Sequence, residues 1–260
     1  WREYARERYI HNAIFSYLDI RPQNFYRVEA DVEGLKFVTA RGWEDLSSLM
    51  YVYEELGISI NAGVVGEFLH NEDIAEDFAA YYDLYNKYRD DYGINNILAG
   101  NATSDIYRRM INADYDERLT VVNLLLDTLN KHFKYAAELK AYTDSWYKSI
   151  KEKIKAGEDE GAIDKEKAEF SKQAEKLDSV EEQTLAKLEN AFDFLEGSKQ
   201  EISKEDIGKL DQEMLIFVTG LTTGKESSSF LLVNPCDRYK SYSAMYLKGG
   251  RRNQLLKEME

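Results

Sequence analysis

The sequence predicts an all-α protein, and three observations support this. Apolar residues recur every three or four positions through most of the 260-residue chain, which is the period of an amphipathic helix. Only two prolines occur, Pro22 and Pro235, so long helices can continue without a break. The most regular pattern runs from Leu119 to Ile154 and is followed by an acidic turn with glycines, as expected for a helical hairpin.

Composition argues against several classes of function. The formal net charge of −14 disfavours nucleic acid or an anionic membrane surface as the main partner. The single cysteine, Cys236, allows no internal disulfide and fits a reducing compartment, so we expect a cytoplasmic protein. No apolar run approaches the roughly 18 residues of a membrane span, and no signal peptide is visible, so no membrane insertion is expected. The chain opens on Trp1 within a helical pattern and without an initiator Met, so we expect the C-terminal part of a longer protein.

In the first part of the chain, the sequence predicts several helices and one non-helical connection between the first two of them. Arg21 precedes a proline, which disfavours helical backbone, so the first helix should end there. Thr39 and Asn71 each precede a helical pattern, and their side chains can accept backbone N–H groups at a helix start. The elements expected here are a helix over 1–20, an irregular or short-strand connection over 25–38, a helix from Thr39 to about Leu56, a short helix over 64–69 and a helix after Asn71.

Tyrosines are concentrated at positions 81–92, where a substrate-gripping or base-stacking surface is one interpretation. Their spacing instead spreads the rings along a helix that packs against its neighbours, with the hydroxyl groups at the rim. We therefore expect these rings to be part of a core. The segment 93–105 contains glycine, asparagine and serine, and it marks the expected boundary between a domain over 1–100 and a helical module over 101–260.

The second part predicts a long antiparallel coiled-coil hairpin over about 116–196. Its outgoing stripe alternates in steps of three and four: Leu119, Val122, Leu126, Leu129, Phe133, Ala136, Lys140, Thr143, Tyr147, Ile150 and Ile154. Its returning stripe is Phe170, Ala174, Leu177, Leu185, Leu188, Phe192 and Leu195. The acidic turn from Gly157 to Gly161 separates the two stripes, and Gly197 ends the second one.

The last 60 residues are less regular. The stretch from Ser203 to Asp206 is a capping signal for one more helix. The apolar segments 214–218 and 230–233 fit either a hairpin of strands or two buried helices. The helical surroundings favour helices.

Arg41 is the candidate functional residue. It falls in the first turn of the helix capped by Thr39, at the positive end of the helix dipole, where a cation is mildly unfavourable. Helix N-termini bind phosphate, so an arginine there is consistent with an anion that arrives from outside the chain. Two simpler interpretations stay open: an ion pair with Asp45 one turn along, or an exposed arginine without a measurable role.

The segment Thr39-Ala40-Arg41-Gly42-Trp43-Glu44 resembles the Thr-Pro-Arg-Thr-Trp-Glu element of MoxR-type AAA+ ATPases, in the helical lid that follows the nucleotide-binding core. The flanking segments 1–26 and 73–85 resemble the first and the closing helix of that lid. The resemblance covers roughly residues 1–100. Ala40 and Gly42 depart from the family pattern, which has proline and threonine at these positions.

This resemblance implies a function for the whole protein. The matching arginine in that family is sensor 2, which reaches the γ-phosphate of ATP, so Arg41 is the residue expected to do this here, with no anionic partner inside this chain. ATP and Mg²⁺ would be bound by the AAA+ core of the same chain, which is absent from these 260 residues. The family further implies a ring oligomer, chaperone-like remodelling and a partner protein with a von Willebrand A domain, with the hairpin relaying motion outward.

The sequence shows no self-sufficient catalytic chemistry. Residues 220–226 approach a phosphate-binding Walker A loop, but they are one residue short and have glutamate where a hydroxyl is needed. Residues 121–127 end an apolar run on aspartate, as a Walker B strand does, but they lie inside the heptad pattern and should be core. The three histidines are too scattered for a metal site, and Cys236 is expected to be a plain buried thiol. No catalytic or metal-binding residue is therefore assigned.

Three function classes follow. The first is the lid and C-terminal helical region of a MoxR-type AAA+ ATPase. The alternative is a helical coiled-coil interaction or scaffold module in which Arg41 has no nucleotide role. A free-standing enzyme is the least favoured, because no site supports it. A Walker A and Walker B pair upstream of Trp1 would distinguish the first class from the second.

Overall fold

A computed structural model of the chain is almost wholly helical, which confirms the all-α prediction. It describes residues 1, 4–5, 8, 10–31, 34–198 and 207–246. The helices are α1 (Asn12–Ile20), α2 (Ala40–Leu56), α3 (Ala62–Gly66), α4 (Glu72–Tyr92), α5 (Ile94–Leu98), α6 (Ser104–Asn112), α7 (Tyr115–Ala156), α8 (Glu160–Gly197), α9 (Ile207–Thr223), α10 (Lys225–Val233) and α11 (Asp237–Tyr246). A 3₁₀ turn (Pro22–Asn24) and the strands β1 (Arg27–Asp31) and β2 (Gly34–Val38) follow α1.

The connection between α1 and α2 is an antiparallel β-hairpin, so the short-strand interpretation is confirmed. The register pairs Arg27 with Val38 and Asp31 with Gly34. Gly34 has a φ angle of +139°, a backbone conformation that residues other than glycine rarely adopt. Because Val38 pairs with Arg27, β2 ends beside the start of β1, one residue before Thr39, the N-cap of α2.

The predicted helix caps are present, but the single helix expected over 1–20 is interrupted at Ile10 and His11. Thr39 accepts a hydrogen bond from the Gly42 amide, and Asn71 accepts one from the Ile74 amide, as predicted. Tyr4 and Ala5 are helical, and α1 begins at Asn12, where the imidazole of His11 accepts the amide of Ala13 and acts as the N-cap. Similarly, the short helix expected over 64–69 runs over Ala62–Gly66, after an N-cap at Asn61.

Contacts group the chain into two compact units. The first unit comprises Trp1–Ile94 and Ser104–Leu125, and the second comprises Asn95–Thr103 and Leu126–Glu260. The division between the two units therefore falls within helix α7, between Leu125 and Leu126. The assignment of residues 1–100 to a lid stays a prediction.

The tyrosines of α4 belong to the core of the first unit, as expected. Tyr82, Tyr85 and Tyr92 are buried. Their neighbour Tyr81 donates a hydrogen bond to the Ser16 hydroxyl at 2.5 Å, which ties α4 to α1. The hydroxyl groups of Tyr82 and Tyr92 donate to Glu54 and Glu117, so burial in the core explains the aromatic run without a ligand.

Helices α7 and α8 form the predicted antiparallel hairpin. Trp146 packs edge-on against Phe170 with ring centroids 6.1 Å apart, and the Lys153 ammonium pairs with Glu166. The predicted seam is buried at Leu119, Val122, Leu126, Leu129, Phe133, Ala136, Thr143 and Ile150. It is wrong at Tyr147 and Ile154, which are about half exposed.

The C-terminal apolar segments are helical, which confirms the favoured interpretation of 214–218 and 230–233. Helix α11 is tied to α8 by an ion pair between Arg238 and Asp193 and by a hydrogen bond from Tyr242 to Glu196 at 2.8 Å. The predicted capping signal at 203–206 lies outside the described residues.

Candidate functional site

Arg41 is presented by the first turn of α2, whose position is set by its neighbours. The Thr39 hydroxyl caps the helix by accepting the Gly42 amide at 3.2 Å. Trp43 is fully buried, and its indole N–H donates to the Phe25 carbonyl at 3.2 Å. The backbone on both sides of Arg41 is therefore fixed by a cap and by a buried indole.

Gly42 allows this turn to pack directly onto the segment after α3. A Cβ built on Gly42 would lie 2.5 Å from the Phe68 carbonyl oxygen, well inside the normal contact distance. The same region is joined to β2 by a hydrogen bond of 2.8 Å from the Phe37 amide to the His70 carbonyl. The glycine at a position where the resembling family has threonine thus has a steric reason in this chain.

The side chain of Arg41 is 75% exposed, but its guanidinium is not isolated. Its Nε donates to the Asp45 carboxylate at 2.9 Å, and Nη1 lies 3.8 Å from the Glu44 carboxylate. The Tyr4 hydroxyl donates to the other oxygen of Glu44 at 3.0 Å. The hydrogen bond and charge of Asp45 raise the pKa of Arg41 above its ordinary value.

The expectation that Arg41 has no anionic partner inside the chain is therefore wrong. The ion pair with Asp45, one of the two simpler interpretations, is present. Exposed pairs of this kind are weak, because water screens the charges and two flexible side chains must be ordered. The backbone of Arg41 is thus held in place, while its guanidinium is only weakly paired. An anion that accepts stronger charge-assisted hydrogen bonds than these carboxylates can displace them.

The segment that resembles a Walker A loop has a different structure. Gly220 lies inside α9, with its Cβ position 2.6 Å from a Leu126 methyl group, so this glycine permits close helix packing. Gly224 precedes α10, where the Ser227 hydroxyl donates to the Leu221 carbonyl at 2.7 Å. A helix junction whose hydroxyl is used internally does not form the open phosphate cradle of a Walker A loop.

The Walker B-like segment is core, as expected. Its side chains from Val121 to Leu126 include buried Val121, Leu124 and Leu125 within α7. The terminal aspartate, Asp127, is itself buried and pairs with Lys131 of the next turn at 3.1 Å.

Cys236 is a buried thiol, which agrees with the sequence interpretation. Burial raises the pKa of Cys236 to about 11, and a hydrogen bond to Glu189 acts in the same direction. The thiolate, which is the nucleophilic form, is therefore disfavoured. Among the described residues, no group of three or more His, Cys, Asp or Glu side chains is placed to hold a metal ion.

One polar cluster, which joins the buried His11 and Tyr82 to the partly exposed side chain of Glu54, was missed from the sequence. His11 accepts the Ala13 amide at Nδ1, so its proton lies on Nε2, which donates to Glu54 at 3.1 Å. Tyr82 donates to the same carboxylate oxygen at 2.8 Å. No spacing rule identifies this cluster, because its members come from α2, α4 and the residue before α1. Both imidazole nitrogens are engaged, so His11 is not free to act as a general base.

Comparisons of this chain with protein-family models, with curated proteins and with solved structures found no match. In the described part of the chain, no helix combines the length and apolar character that crossing a membrane requires.

Proposed function

We propose that residues 1–100 are the lid of a MoxR-type AAA+ ATPase, and that Arg41 senses the γ-phosphate of ATP bound by the core of the same chain. The observation that carries the proposal is the placement of Arg41. Its backbone is held by the Thr39 cap and the buried Trp43, while its side chain is 75% exposed. A sensor needs this combination, because it must be aimed accurately and must also reach a ligand outside its own domain.

The chemistry of a guanidinium suits this role. Its planar, forked set of N–H donors matches phosphate oxygens, and its charge stabilises the negative charge of phosphoryl transfer. The core would supply the backbone cradle for the phosphates and the ligands of Mg²⁺. ATP would then favour a closed lid, and loss of the γ-phosphate would release it.

The wider assembly follows from the same proposal. The ATPase would act as a ring and remodel client proteins, together with a partner that has a von Willebrand A domain. The α7–α8 hairpin, whose two helices have 42 and 38 residues, would carry the motion of the lid to that partner or client.

The test is ATP turnover by the longer protein that includes the core. Arg41→Ala should lower kcat by a factor of 10 to 1000, which is typical for loss of one charge stabiliser of phosphoryl transfer. Arg41→Lys should restore only part of it, because an ammonium cannot reproduce the fork. Arg108→Ala is the matched control, because Arg108 is 72% exposed and also pairs with an acidic residue on its own helix, Asp105 at 3.2 Å.

Equal turnover of the Arg41→Ala and Arg108→Ala proteins would contradict the proposal. The absence of a Walker A and Walker B pair in the longer reading frame would do so as well. Both results would instead favour a helical interaction module. The observation that favours this second candidate is the ion pair of Arg41 with Asp45, which gives the arginine a local role without nucleotide.

A further inference from the structure

Asp45 is the closest anionic partner of Arg41. Its carboxylate accepts a hydrogen bond from Nε at 2.9 Å, whereas the carboxylate of Glu44 is 3.8 Å from Nη1 and is also bound by the Tyr4 hydroxyl. Asp45 is itself 41% exposed. The closer carboxylate therefore lies at the surface, beside the guanidinium that the proposed function assigns to ATP.

The geometry makes Asp45 a competitor for the guanidinium. An arginine binds phosphate most strongly through two parallel N–H donors, and one of its two bidentate edges includes Nε. That N–H is occupied by Asp45 in this structure. A γ-phosphate approaching this edge must displace the carboxylate, and the displaced carboxylate then faces a phosphate of the same charge.

The ion pair between Arg41 and Asp45 is also weak, so that another anion can displace the carboxylate. Arginine stands four residues before its acidic partner, the weaker of the two orders for a pair on a helix surface. Arg41 further lies at the positive end of the helix dipole, which disfavours a cation. Both effects weaken the pair without abolishing it.

We propose that Asp45 is the exchange partner of Arg41, a positioning residue that holds the guanidinium when no γ-phosphate is present and competes with ATP for it. This inference rests on the proposed function of Arg41. Asp45 acts only through the arginine, so it sets how readily ATP captures the sensor and how readily the sensor returns after phosphate leaves.

The experiment measures kcat and KM for MgATP in the longer protein that contains the core. Asp45→Asn keeps the shape of the side chain but removes its charge, so KM for ATP should fall about two- to fivefold, the range for loss of one exposed ion pair. The same change in an Arg41→Ala background should leave KM where Arg41→Ala alone puts it. Asp105→Asn is the matched control, because it removes the exposed partner of Arg108 and should not change KM.

The outcomes separate the inference from the proposed function. If Arg41→Ala lowers turnover but Asp45→Asn leaves KM unchanged, the exchange role is wrong and the sensor stands. If Asp45→Asn lowers KM equally with and without Arg41, the carboxylate acts by general repulsion of ATP, which also overturns the inference. If Arg41→Ala itself leaves turnover unchanged, the sensor and its exchange partner both fail.

Discussion

At the scale of single residues, Trp43 is the main packing contact next to the candidate site. Its indole is fully buried, and its ring lies 5.7 Å from that of Tyr17 and 5.2 Å from that of Phe78. Because Tyr17 belongs to α1 and Phe78 to α4, the indole joins three helices around the turn that presents Arg41. The Trp43 side chain is thus buried, whereas that of Arg41, two residues earlier, is exposed.

We therefore expect Trp43→Ala to destabilise the protein by about 3–5 kcal/mol, the usual cost of removing a buried aromatic side chain. Thermal or urea unfolding of the 260-residue chain measures this. Leu56→Ala on the same helix is the control, because Leu56 is mostly exposed and should change stability by less than about 0.5 kcal/mol. Similar losses in the two variants would contradict the central position of the indole.

Glu54 makes a pH-dependent contribution to stability. Burial opposes its charge and raises its pKa, but the hydrogen bonds from His11 and Tyr82 outweigh burial and lower the pKa to about 2. A free glutamate has a pKa of about 4.3, so the folded protein binds a proton on Glu54 less readily than the unfolded chain does. The stabilisation is consequently complete above about pH 4.5 and is lost as the pH falls towards 2.

Glu54→Gln should remove this component of the acid dependence. The variant should be less stable than the native chain at pH 7, and the difference should shrink as the pH is lowered through the range from about 4.5 to 2. Melting temperatures measured between pH 7 and pH 2.5 give the comparison. Glu55→Gln, at the exposed neighbouring position, should follow the native curve. A constant difference between native and Glu54→Gln proteins across this range would show that the lowered pKa is not coupled to folding.

At the scale of elements, the start of α2 depends on one close backbone contact. The sequence predicts the Thr39 cap from residue type alone, since the capping group and its target are three residues apart. It could not predict that Gly42 lies against the Phe68 carbonyl, because that contact depends on how α2 meets the segment after α3. The departure from the family pattern therefore gains a physical reason only from the structure.

Gly42→Ala should accordingly be destabilising by about 1–3 kcal/mol, because a Cβ 2.5 Å from a backbone oxygen forces the backbone to move. Gly66→Ala is the control at a helical glycine with no atom within 4 Å of its Cβ position, and it should be neutral or slightly stabilising. Chemical unfolding of both variants tests the contact. A neutral Gly42→Ala would mean that the first turn of α2 is not packed as described.

The long hairpin shows both the power and the limit of periodicity. Steps of three and four from Leu119 to Thr143 predict the buried positions correctly except at Lys140, which is partly exposed. Beyond Thr143, Phe170 contacts both Trp146 and Tyr147, and the heptad pattern could not choose between these adjacent aromatic residues.

The start of α1 could not be predicted either. A histidine side chain is an uncommon N-cap, so His11 gave no signal for a helix start.

At the scale of the whole molecule, the helical class, the paired long helices and the helical C-terminal segments could be predicted from apolar spacing. The candidate site could be predicted only in part. Arg41 and its alternative partner Asp45 are one turn apart, so local geometry sufficed, but the supporting contacts of Trp43 and Gly42 come from distant segments. The proposed ligand of Arg41 could not be predicted from contacts within these 260 residues, because the guanidinium pairs here only with carboxylates of its own helix.

The most direct test of the proposed sensor role is a structure of a longer protein that contains the proposed core, with Mg²⁺ and a non-hydrolysable ATP analogue added. We expect an Arg41 guanidinium nitrogen about 2.7–2.9 Å from a γ-phosphate oxygen, the length of a charge-assisted hydrogen bond, with the contact to Asp45 broken. An Arg41 that keeps its 2.9 Å hydrogen bond to Asp45, while the nucleotide is bound without it, would contradict the proposed sensor.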